Sequence, residues 1–425
     1  MAVKVLIVDD SGFFRKRIEE MLKSEPRIKV VGTASNGNQA IEQAVHLRPD
    51  VITMDVEMPG MSGIEAVAQI MQKAPTQVLM LSSLTHEGAR VTLQALDAGA
   101  ADYLPKEASA WISNKSELQQ DLIRRILALG QQTTPYARSA PSSFGSAFRS
   151  GAGASLSTLT PSRSAASAGA SRTLSSGEQE KPPVPMQVDR THASLTSNVS
   201  RLNAREGSKT EAVETRRGVK STTGSVTTSV DRIQVPDAKL VVIGASTGGP
   251  GALQILLSQL PANFPAPIML IQHMPNTFTS VFAERLNKQC QIEVRQAVNG
   301  DQLRPGLALL APGGMQMIID PRQKDRVSVL AGDASLTYKP SVDVTYASVA
   351  KFYGKQALAL ILTGMGADGA DGARLLKREG ACIWAQSKDS CTIYGMPAAI
   401  ISAGLADEVL DINDLGRALA KRGRR

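Results

Sequence analysis

Short apolar runs alternate with amphipathic stretches in the first 130 residues of the chain. The runs have the length of buried strands, and the stretches between them place apolar residues at helical spacing. The predicted strands are Val3–Val8, Ile28–Gly32, Val51–Met54, Val78–Leu81 and Asp102–Leu104. The predicted helices include Phe13–Leu22, Gln39–Leu47, Gly63–Met71 and Arg90–Ala98. Strands that alternate with helices form a parallel sheet covered on both faces, so this section predicts an α/β unit with five parallel strands.

A second alternating section covers residues 236–425. Its predicted strands are Leu240–Ile243, Ile268–Ile271, Ala308–Ala311, Leu358–Leu362, Ala381–Trp384 and Glu408–Leu410. Two further runs, Met315–Ile319 and Arg326–Leu330, are separated by polar turn residues and predict a β-hairpin inserted into the sheet. The pattern therefore predicts a doubly wound, mostly parallel α/β sheet with a hairpin.

The section between the two, residues 131–235, is rich in Ser, Thr, Ala and Gly, with scattered Pro and Arg. It has few apolar residues whose burial could offset the entropy lost on folding, so we expect a disordered linker. A short helix near Leu202–Val213 is the one element that its pattern suggests. The chain thus divides into predicted domains at residues 1–130 and 236–425.

Composition and charge narrow the classes of protein that fit. The chain has 425 residues, 42% of them hydrophobic, and no apolar run approaches the roughly 20 residues that span a bilayer. The first residues lead directly into a strand pattern, which is unlike a signal peptide. Three cysteines without metal-site spacing suggest reduced thiols in a cytoplasm. We expect a cytoplasmic protein without membrane insertion.

The formal net charge of +8 is not spread over the folded sections. Residues 131–235 carry 13 Lys and Arg against 7 Asp and Glu, and the tail Lys421–Arg425 adds +4, which leaves −2 for the remainder. The positive charge is expected to lie in flexible, solvated segments. A nucleic-acid-binding face is therefore not expected.

Acidic residues follow two of the predicted strands of the first section. Asp9 and Asp10 close the first strand and Asp55 closes the third, and strand ends of this kind converge at a switch point of the sheet. Clustered carboxylates repel each other unless a cation such as Mg²⁺ neutralises them. Ser82 and Lys106, after the fourth and fifth strands, could hold the oxygens of a phosphoryl group on Asp55.

Over about 120 residues this section resembles the receiver domain of bacterial response regulators, which have a flavodoxin-like fold. The matching segments are Asp9-Asp10, Met54–Gly63, Leu81–Ser83 and Gly99–Lys106. The resemblance implies that a histidine kinase phosphorylates Asp55 and that Asp10, Asp55 and the Glu57 carbonyl hold Mg²⁺, assisted by Asp9. It also implies that Tyr103 changes rotamer on activation. Proline precedes Lys106, whereas receivers usually have it after the lysine.

The second section carries a serine flanked by glycines directly after an apolar strand, in Gly244–Gly249. This arrangement presents an exposed hydroxyl at a sharp strand-to-helix turn, although a plain tight turn would read similarly. If Ser246 is a nucleophile with an imidazole base, the base is His273, because no other histidine follows residue 236. Asp368, after the strand at Leu358–Leu362, is the expected third member and a possible helix N-cap.

Other acids are weaker choices for this third role. Asp371 is a neighbouring candidate but lies a turn into the helix, and Asp343 and Asp333 are weaker still. Gly364-Met365-Gly366 can direct backbone N–H groups at one point, and Met365 N–H is the best oxyanion donor. The order Ser, His, Asp differs from that of α/β-hydrolases, so the site is a separate solution to the same chemistry.

Nearly all of residues 236–412 resembles the chemotaxis receptor protein-glutamate methylesterase family. The matching segments are Gly244–Gly249, Gln272–Pro275, Ala311–Gly314, Pro340–Val344 and Leu362–Gly369. The resemblance implies Ser246 as nucleophile, His273 as base, Asp368 as orienting acid and Met365 as oxyanion donor, with Thr247 helping to position His273. It implies an esterase without a cofactor that demethylates glutamate γ-methyl esters, and deamidates certain glutamines, on methyl-accepting chemotaxis receptors.

The order of the domains suggests regulation, in which the unphosphorylated receiver covers the Ser246 cleft and phosphorylation of Asp55 opens it. Deleting residues 1–235 should then raise esterase activity, and the long linker and basic tail should tether the enzyme near acidic receptor surfaces. Three alternatives stay open: a receiver-controlled serine esterase or amidase acting on a non-chemotactic protein, a DNA-binding response regulator, and a scaffold with an inactive triad. The intact Ser246, His273 and Asp368 argue against the last of these.

Overall fold

The computed structural model describes residues 2–106, 111, 116–131 and 233–424. The predicted linker and the helix near Leu202–Val213 lie outside these described residues. The N-terminal unit comprises residues 2–131 and the C-terminal unit residues 233–424. Within the described residues, no helix is both long enough and apolar enough to cross a membrane.

The N-terminal unit is built on a five-stranded parallel sheet in the order β2-β1-β3-β4-β5. Its strands are β1 (Val3–Val8), β2 (Ile28–Ala34), β3 (Val51–Asp55), β4 (Gln77–Ser82) and β5 (Asp102–Pro105). Its long helices are α1 (Gly12–Lys23), α2 (Gly37–Leu47), α3 (Gly63–Lys73), α4 (His86–Asp97) and α5 (Ser116–Gly130). The strand order reverses at β1 and β3, which places the ends that carry Asp9 and Asp55 side by side.

The C-terminal unit contains a seven-stranded sheet in the order β14-β13-β12-β6-β7-β9-β8, and all its pairs are parallel. Its strands are β6 (Leu240–Ala245), β7 (Ile268–Gln272), β8 (Glu293–Gln296), β9 (Leu307–Leu310), β12 (Ala357–Ile361), β13 (Cys382–Gln386) and β14 (Glu408–Leu410). The predicted hairpin, β10 (Met315–Ile319) and β11 (Val327–Ala331), exists but forms a separate antiparallel sheet.

Six α-helices of 7 to 14 residues cover this sheet. They are α6 (Gly249–Leu257), α7 (Asn276–Gln289), α8 (Val342–Phe352), α9 (Ala370–Arg378), α10 (Met396–Ser402) and α11 (Ile412–Ala420). Strands β6, β7 and β12 are buried throughout, as expected for parallel strands covered on both faces. Short 3₁₀ turns lie at Gly354–Gln356, Lys388–Ser390 and Lys421–Arg424.

The two units pack against each other. One continuous apolar cluster joins buried residues of α4, such as Leu93, to Leu253 of α6 and Phe282 of α7. Arg285 of α7 forms an ion pair with Asp97 at the end of α4. The units therefore share a buried interface rather than lying apart on their linker.

The prediction that the basic tail is a solvated, flexible run is wrong for Lys421–Arg424, which forms a 3₁₀ turn against the C-terminal unit. The Arg422 guanidinium donates to the Ala238 carbonyl at 2.8 Å and to Asp237 at 3.0 Å, and its side chain is largely buried. Asn263 donates to the Gly423 carbonyl at 3.0 Å. At least this part of the tail is engaged with its own unit.

Candidate active site

Three adjacent strands of the C-terminal unit bring the predicted hydrolytic residues to one edge of the sheet. Ser246 follows β6, His273 follows β7 and Asp368 lies in the loop after β12, and β6 is the middle strand of the three. The β6–β7 register pairs Ala245 with Gln272, so Ser246 and His273 are the next residues on neighbouring strands, which lie about 4.8 Å apart. The His273 N–H donates to the Ala245 carbonyl at 3.1 Å, which extends this register past the strand ends.

His273 and Asp368 form a direct pair, with Nε2 of the imidazole 2.7 Å from Oδ2 of the carboxylate. Asp368 also accepts hydrogen bonds from the Ser341 hydroxyl at 2.9 Å and from the N–H groups of Val342 at 2.7 Å and Asp343 at 3.0 Å. Burial by itself raises the pKa of Asp368, but the contacts with His273 and these N–H groups outweigh it and lower the pKa below its ordinary value. Asp368 is therefore an ionised carboxylate.

Contrary to expectation, Asp368 does not cap the helix that follows it but accepts from the first N–H groups of another helix, α8. The N-cap of the helix that follows it, α9, is Gly369, which adopts a left-handed conformation with φ of 101°. Asp368 instead accepts from the first N–H groups of α8, where the positive end of a helix dipole favours an anion. The carboxylate thus joins the start of α8 to the imidazole.

The contact with Asp368 assigns the two nitrogens of the imidazole. A carboxylate only accepts, so Nε2 carries a hydrogen, and in the neutral imidazole Nδ1 then carries the lone pair. Nδ1 is buried and has no hydrogen-bond partner among the described residues. It is therefore the nitrogen available to a hydroxyl proton. Ser246 itself is half-buried and its hydroxyl makes no hydrogen bond within the described chain.

Two residues that the sequence did not single out hold this pair in place. The Tyr338 ring stacks on the His273 ring, with centroids 4.2 Å apart and planes within 4° of parallel. The Gln272 amide donates to the carbonyls of Ser246 at 2.9 Å and His273 at 3.1 Å, which ties the two turns together. Gln272 stands in the segment Gln272–Pro275 noted in the sequence, whereas nothing local marks Tyr338.

The loop after β12 approaches the serine closely at Gly364. A Cβ at this position would lie 2.8 Å from the Ser246 Cβ and 2.3 Å from the sulfur of Met396, so a larger side chain does not fit. The Gly364 carbonyl accepts from Gly395 and Met396, whereas the Met365 N–H has no acceptor in the described chain. A free N–H beside the serine is what an oxyanion donor requires.

The other acids of the unit have different surroundings. Asp371 pairs with Arg374 on the same helix, and the exposed Asp333 bonds to Ser335 at 2.8 Å. Asp343 lies beside Asp368, and burial together with the charge of Asp368 raises the pKa of Asp343 well above its ordinary value. Asp343 accepts from Gly372 N–H at 2.7 Å, which connects α8 to α9.

Ser246 and His273 line a cavity of about 330 Å³ that lies between the two units. The N-terminal unit contributes residues of β5 and α5 to its wall: Asp102, Tyr103, Pro105, Asp121, Arg124 and Arg125. The Thr247 hydroxyl donates to Asp102 at 2.9 Å, and Asp102 is also paired with Arg125. The expected contact of Thr247 with His273 is thus absent from this arrangement, because the hydroxyl is bound to the neighbouring unit instead.

The predicted acidic site of the N-terminal unit also assembles. Carboxylate oxygens of Asp9, Asp10 and Asp55 lie within 4.8 Å of one another. Lys106 is 2.7 Å from Asp9 and 3.0 Å from Asp55. Three hard oxygen donors at one strand edge fit the ligand preference of Mg²⁺.

The charges at this site perturb each other. Burial, followed by the charge of Asp9, raises the pKa of Asp55 to about 6. Burial alone would lower the pKa of Lys106, but its pairs with Asp9 and Asp55 raise it above its ordinary value. The site is therefore a crowded set of carboxylates that one ammonium compensates only in part.

The remaining predicted residues lie around this site. Glu57 is exposed just after β3, and Ser82 is buried at the end of β4, where the Thr92 hydroxyl donates to it at 2.5 Å. Tyr103 is buried at the interface between the units, and its ring stacks on Phe278 of α7 with centroids 4.6 Å apart. The aromatic expected to switch thus touches the C-terminal unit directly.

Comparisons with known proteins match both units. A family model described as CheB methylesterase matches residues 241–419, and one described as a response regulator receiver domain matches residues 5–112. The protein-glutamate methylesterase/protein-glutamine glutaminase of group 1 operon from Pseudomonas putida is 50% identical over 424 residues, with 99% of each chain covered. Protein-glutamate methylesterase/protein-glutamine glutaminase 1 from Pseudomonas aeruginosa is 49% identical over 424 residues, again with 99% of each covered. The crystal structure of the Thermotoga maritima CheB methylesterase catalytic domain is 38% identical, covers 43% of this chain and 98% of that chain, and has a TM-score of 0.42.

Proposed function

The chain belongs to the protein-glutamate methylesterase/protein-glutamine glutaminase family, and we propose that it hydrolyses glutamate γ-methyl esters on chemoreceptors under the control of its receiver unit. The same acyl chemistry would deamidate certain receptor glutamines. The observation that carries the catalytic assignment is the His273–Asp368 pair, beside a serine on the adjacent strand end. The family name shared by the relatives does not favour the alternative of a non-chemotactic substrate.

In the proposed reaction, Nδ1 of His273 accepts the Ser246 proton while the hydroxyl oxygen attacks the ester carbonyl carbon. Asp368 stabilises the imidazolium that forms. The imidazolium then gives its proton to the departing methoxide, so methanol leaves and an acyl-enzyme remains. Water attacks the acyl group with His273 again as base, which releases glutamate and restores the serine.

Met365 N–H would stabilise the oxyanion of each tetrahedral intermediate. Its free N–H and the close approach of Gly364 to Ser246 support this role. Removal of one such donor typically raises a barrier by about 3–4 kcal/mol. Because every step is an acyl transfer with a proton shuttle, the esterase site needs no cofactor.

In the receiver unit, Asp55 would accept a phosphoryl group from a chemotaxis histidine kinase. Asp9, Asp10 and Asp55, with the main-chain carbonyl of Glu57, would hold Mg²⁺, which when bound offsets the negative charge of the phosphoryl oxygens. Lys106 and Ser82 lie where an ammonium and a hydroxyl could bind those oxygens.

Regulation would follow from the way in which β5 joins the two sites. Strand β5 carries Asp102, which accepts from Thr247, and Tyr103, which stacks on Phe278. The strand then leads to Lys106 at the phosphorylation site. A shift of Lys106 toward a phosphoryl group would disturb both contacts and favour an open arrangement. We accordingly assign residues 1–130 to the receiver domain, 131–235 to the linker and 236–425 to the catalytic domain. The three free cysteines support a cytoplasmic setting.

The catalytic assignment is tested by methanol release from methylated chemoreceptor in membranes. Ser246→Ala should reduce release by roughly 10³-fold or more, because the nucleophile is lost while the fold is kept. Ser280→Ala, a serine on α7 outside the proposed machinery, is the control and should behave as wild type. Wild-type enzyme that hydrolyses a simple activated ester but releases no methanol from receptor would refute the proposed substrate.

A further inference from the structure

The short segment Tyr338–Ser341 contacts both the imidazole of His273 and the carboxylate of Asp368 in the proposed catalytic site. Tyr338 stacks on the imidazole of His273, and Ser341 donates to Asp368 at 2.9 Å. Gln316 of β10 holds both ends of the segment, because its amide donates to the Tyr338 carbonyl at 2.9 Å and accepts from Ser341 N–H at 2.8 Å. The aromatic ring is therefore carried by a fixed piece of backbone.

We propose that Tyr338 is a positioning residue of the esterase, whose ring keeps the His273 imidazole in the plane that leaves Nε2 on Asp368 and Nδ1 facing the serine side. This inference rests on the proposed function.

A hydrogen bond at a single atom does not fix the plane of an imidazole. The terminal torsion of histidine is broad, so the ring could tilt about the Nε2–Asp368 contact or flip, which would put carbon atoms where the nitrogens were. Either motion would remove Nδ1 from the reaction. A parallel aromatic face at 4.2 Å resists rotation of the imidazole out of its plane, and a flip must pass through that rotation. The face of an aromatic ring also attracts a cation, which favours the imidazolium formed during the reaction.

The hydroxyl of Tyr338 has no comparable function in this arrangement. It makes no hydrogen bond with the described residues, and it lies near Gly366, where a Cβ would approach it to 3.3 Å. Burial and the nearby Asp368 raise the pKa of the phenol, so it stays neutral. The ring and not the hydroxyl is therefore the functional part, and phenylalanine should replace tyrosine.

The test compares Tyr338→Phe with Tyr338→Leu in the full-length protein, with acetyl phosphate and Mg²⁺ present so that closure of the receiver does not limit the rate. Methanol release from methylated receptor gives kcat and KM, and turnover of p-nitrophenyl acetate gives acylation and deacylation separately. We expect kcat for Tyr338→Leu to fall about 10-fold with KM within 2-fold, and both half-reactions to slow because His273 acts in each. Tyr338→Phe should keep at least half of the wild-type kcat.

Ser335→Ala is the matched control, because Ser335 is an exposed residue of the same loop whose hydroxyl bonds to Asp333 outside the cavity, and it should leave kcat unchanged. If Tyr338→Leu does not fold, Tyr338→Met, which is unbranched and also lacks an aromatic face, takes its place. The proposal is overturned if the aliphatic variant keeps full kcat, if KM rises in place of the fall in kcat, or if phenylalanine fails as badly as leucine. Failure of the proposed function would differ, since either the wild type would then release no methanol from receptor or Ser246→Ala would still release it.

Discussion

The pKa values of two neighbouring carboxyls of the catalytic unit are shifted in opposite directions. Asp368 faces an imidazole, a hydroxyl and two N–H groups, which lower its pKa. Asp343 is the second residue of α8, and its burial together with the charge of Asp368 raises its pKa. A negative charge on the pair is thus favoured on the residue that bonds to His273. The immediate surroundings of each residue therefore decide which acid can orient the base.

The raised pKa of Asp55 makes a prediction about stability. A carboxyl whose pKa rises from 3.8 to about 6 on folding stabilises the protein below pH 3.8, and that contribution is lost as pH rises through about 6. Asp55→Asn removes the buried charge, so at pH 7 without Mg²⁺ the free energy of unfolding of the receiver should rise by about 1–3 kcal/mol. Loss of the ion pair with Lys106 reduces this gain by the amount that the pair contributed. Added Mg²⁺ should narrow the difference from wild type.

Thermal unfolding of the full chain at pH 5 and pH 7 measures this effect. Glu57→Gln, an exposed acid beside the same site, is the control and should change the midpoint little. An Asp55→Asn protein that is no more stable than wild type at pH 7 would show that the carboxylate cluster is not strained.

At the scale of elements, the hydrophobic pattern predicts the strands that carry chemistry well. Strands β6, β7 and β12 are buried throughout and, apart from Gln272 at the end of β7, contain no polar side chain. They end at the expected residues to within two positions, because burial on both faces leaves a continuous apolar run. The pattern does not single out β8, whose sequence Glu-Val-Arg-Gln is mostly polar at the edge of the sheet. It also does not single out helix α5, although α5 lines the cavity.

The same limit applies to the site. Ser246, His273 and Asp368 could be predicted because each follows a recognisable strand. Tyr338 could not, since it lies in a loop between a hairpin and a helix, and its contact with His273 spans 65 positions that no local pattern connects. The bond from Thr247 to Asp102 could not be predicted either, because it joins residues of different units.

Contacts between α4 and α7 stabilise the closed arrangement of the two units. The Arg285–Asp97 ion pair bridges these helices at the interface. Arg285→Ala should weaken the closed arrangement and raise the unphosphorylated esterase rate by about 2- to 5-fold, a modest effect because Asp97 is partly exposed. Arg374→Ala removes an exposed ion pair within α9 and serves as the control. A folded Arg285→Ala protein with an unchanged basal rate would argue against closure through this interface.

At the scale of the whole molecule, the catalytic cavity is completed by two units that lie far apart in sequence. The catalytic unit supplies the serine and imidazole, and the receiver supplies one wall through β5 and α5. Asp102 and Tyr103, which contact the catalytic unit, precede Lys106 by four and three residues, and Lys106 pairs with Asp55. One short strand, β5, thus runs from the wall of the serine's cavity to the lysine beside Asp55.

The most direct test is the rate of methanol release from methylated receptor by the full-length protein, with and without acetyl phosphate and Mg²⁺. We predict a several-fold or larger rise with the phosphodonor for the wild type, no rise for Asp55→Asn, and no release above background for Ser246→Ala in either condition. A wild-type rate that does not respond to the phosphodonor, or methanol release that survives in Ser246→Ala, would contradict the account.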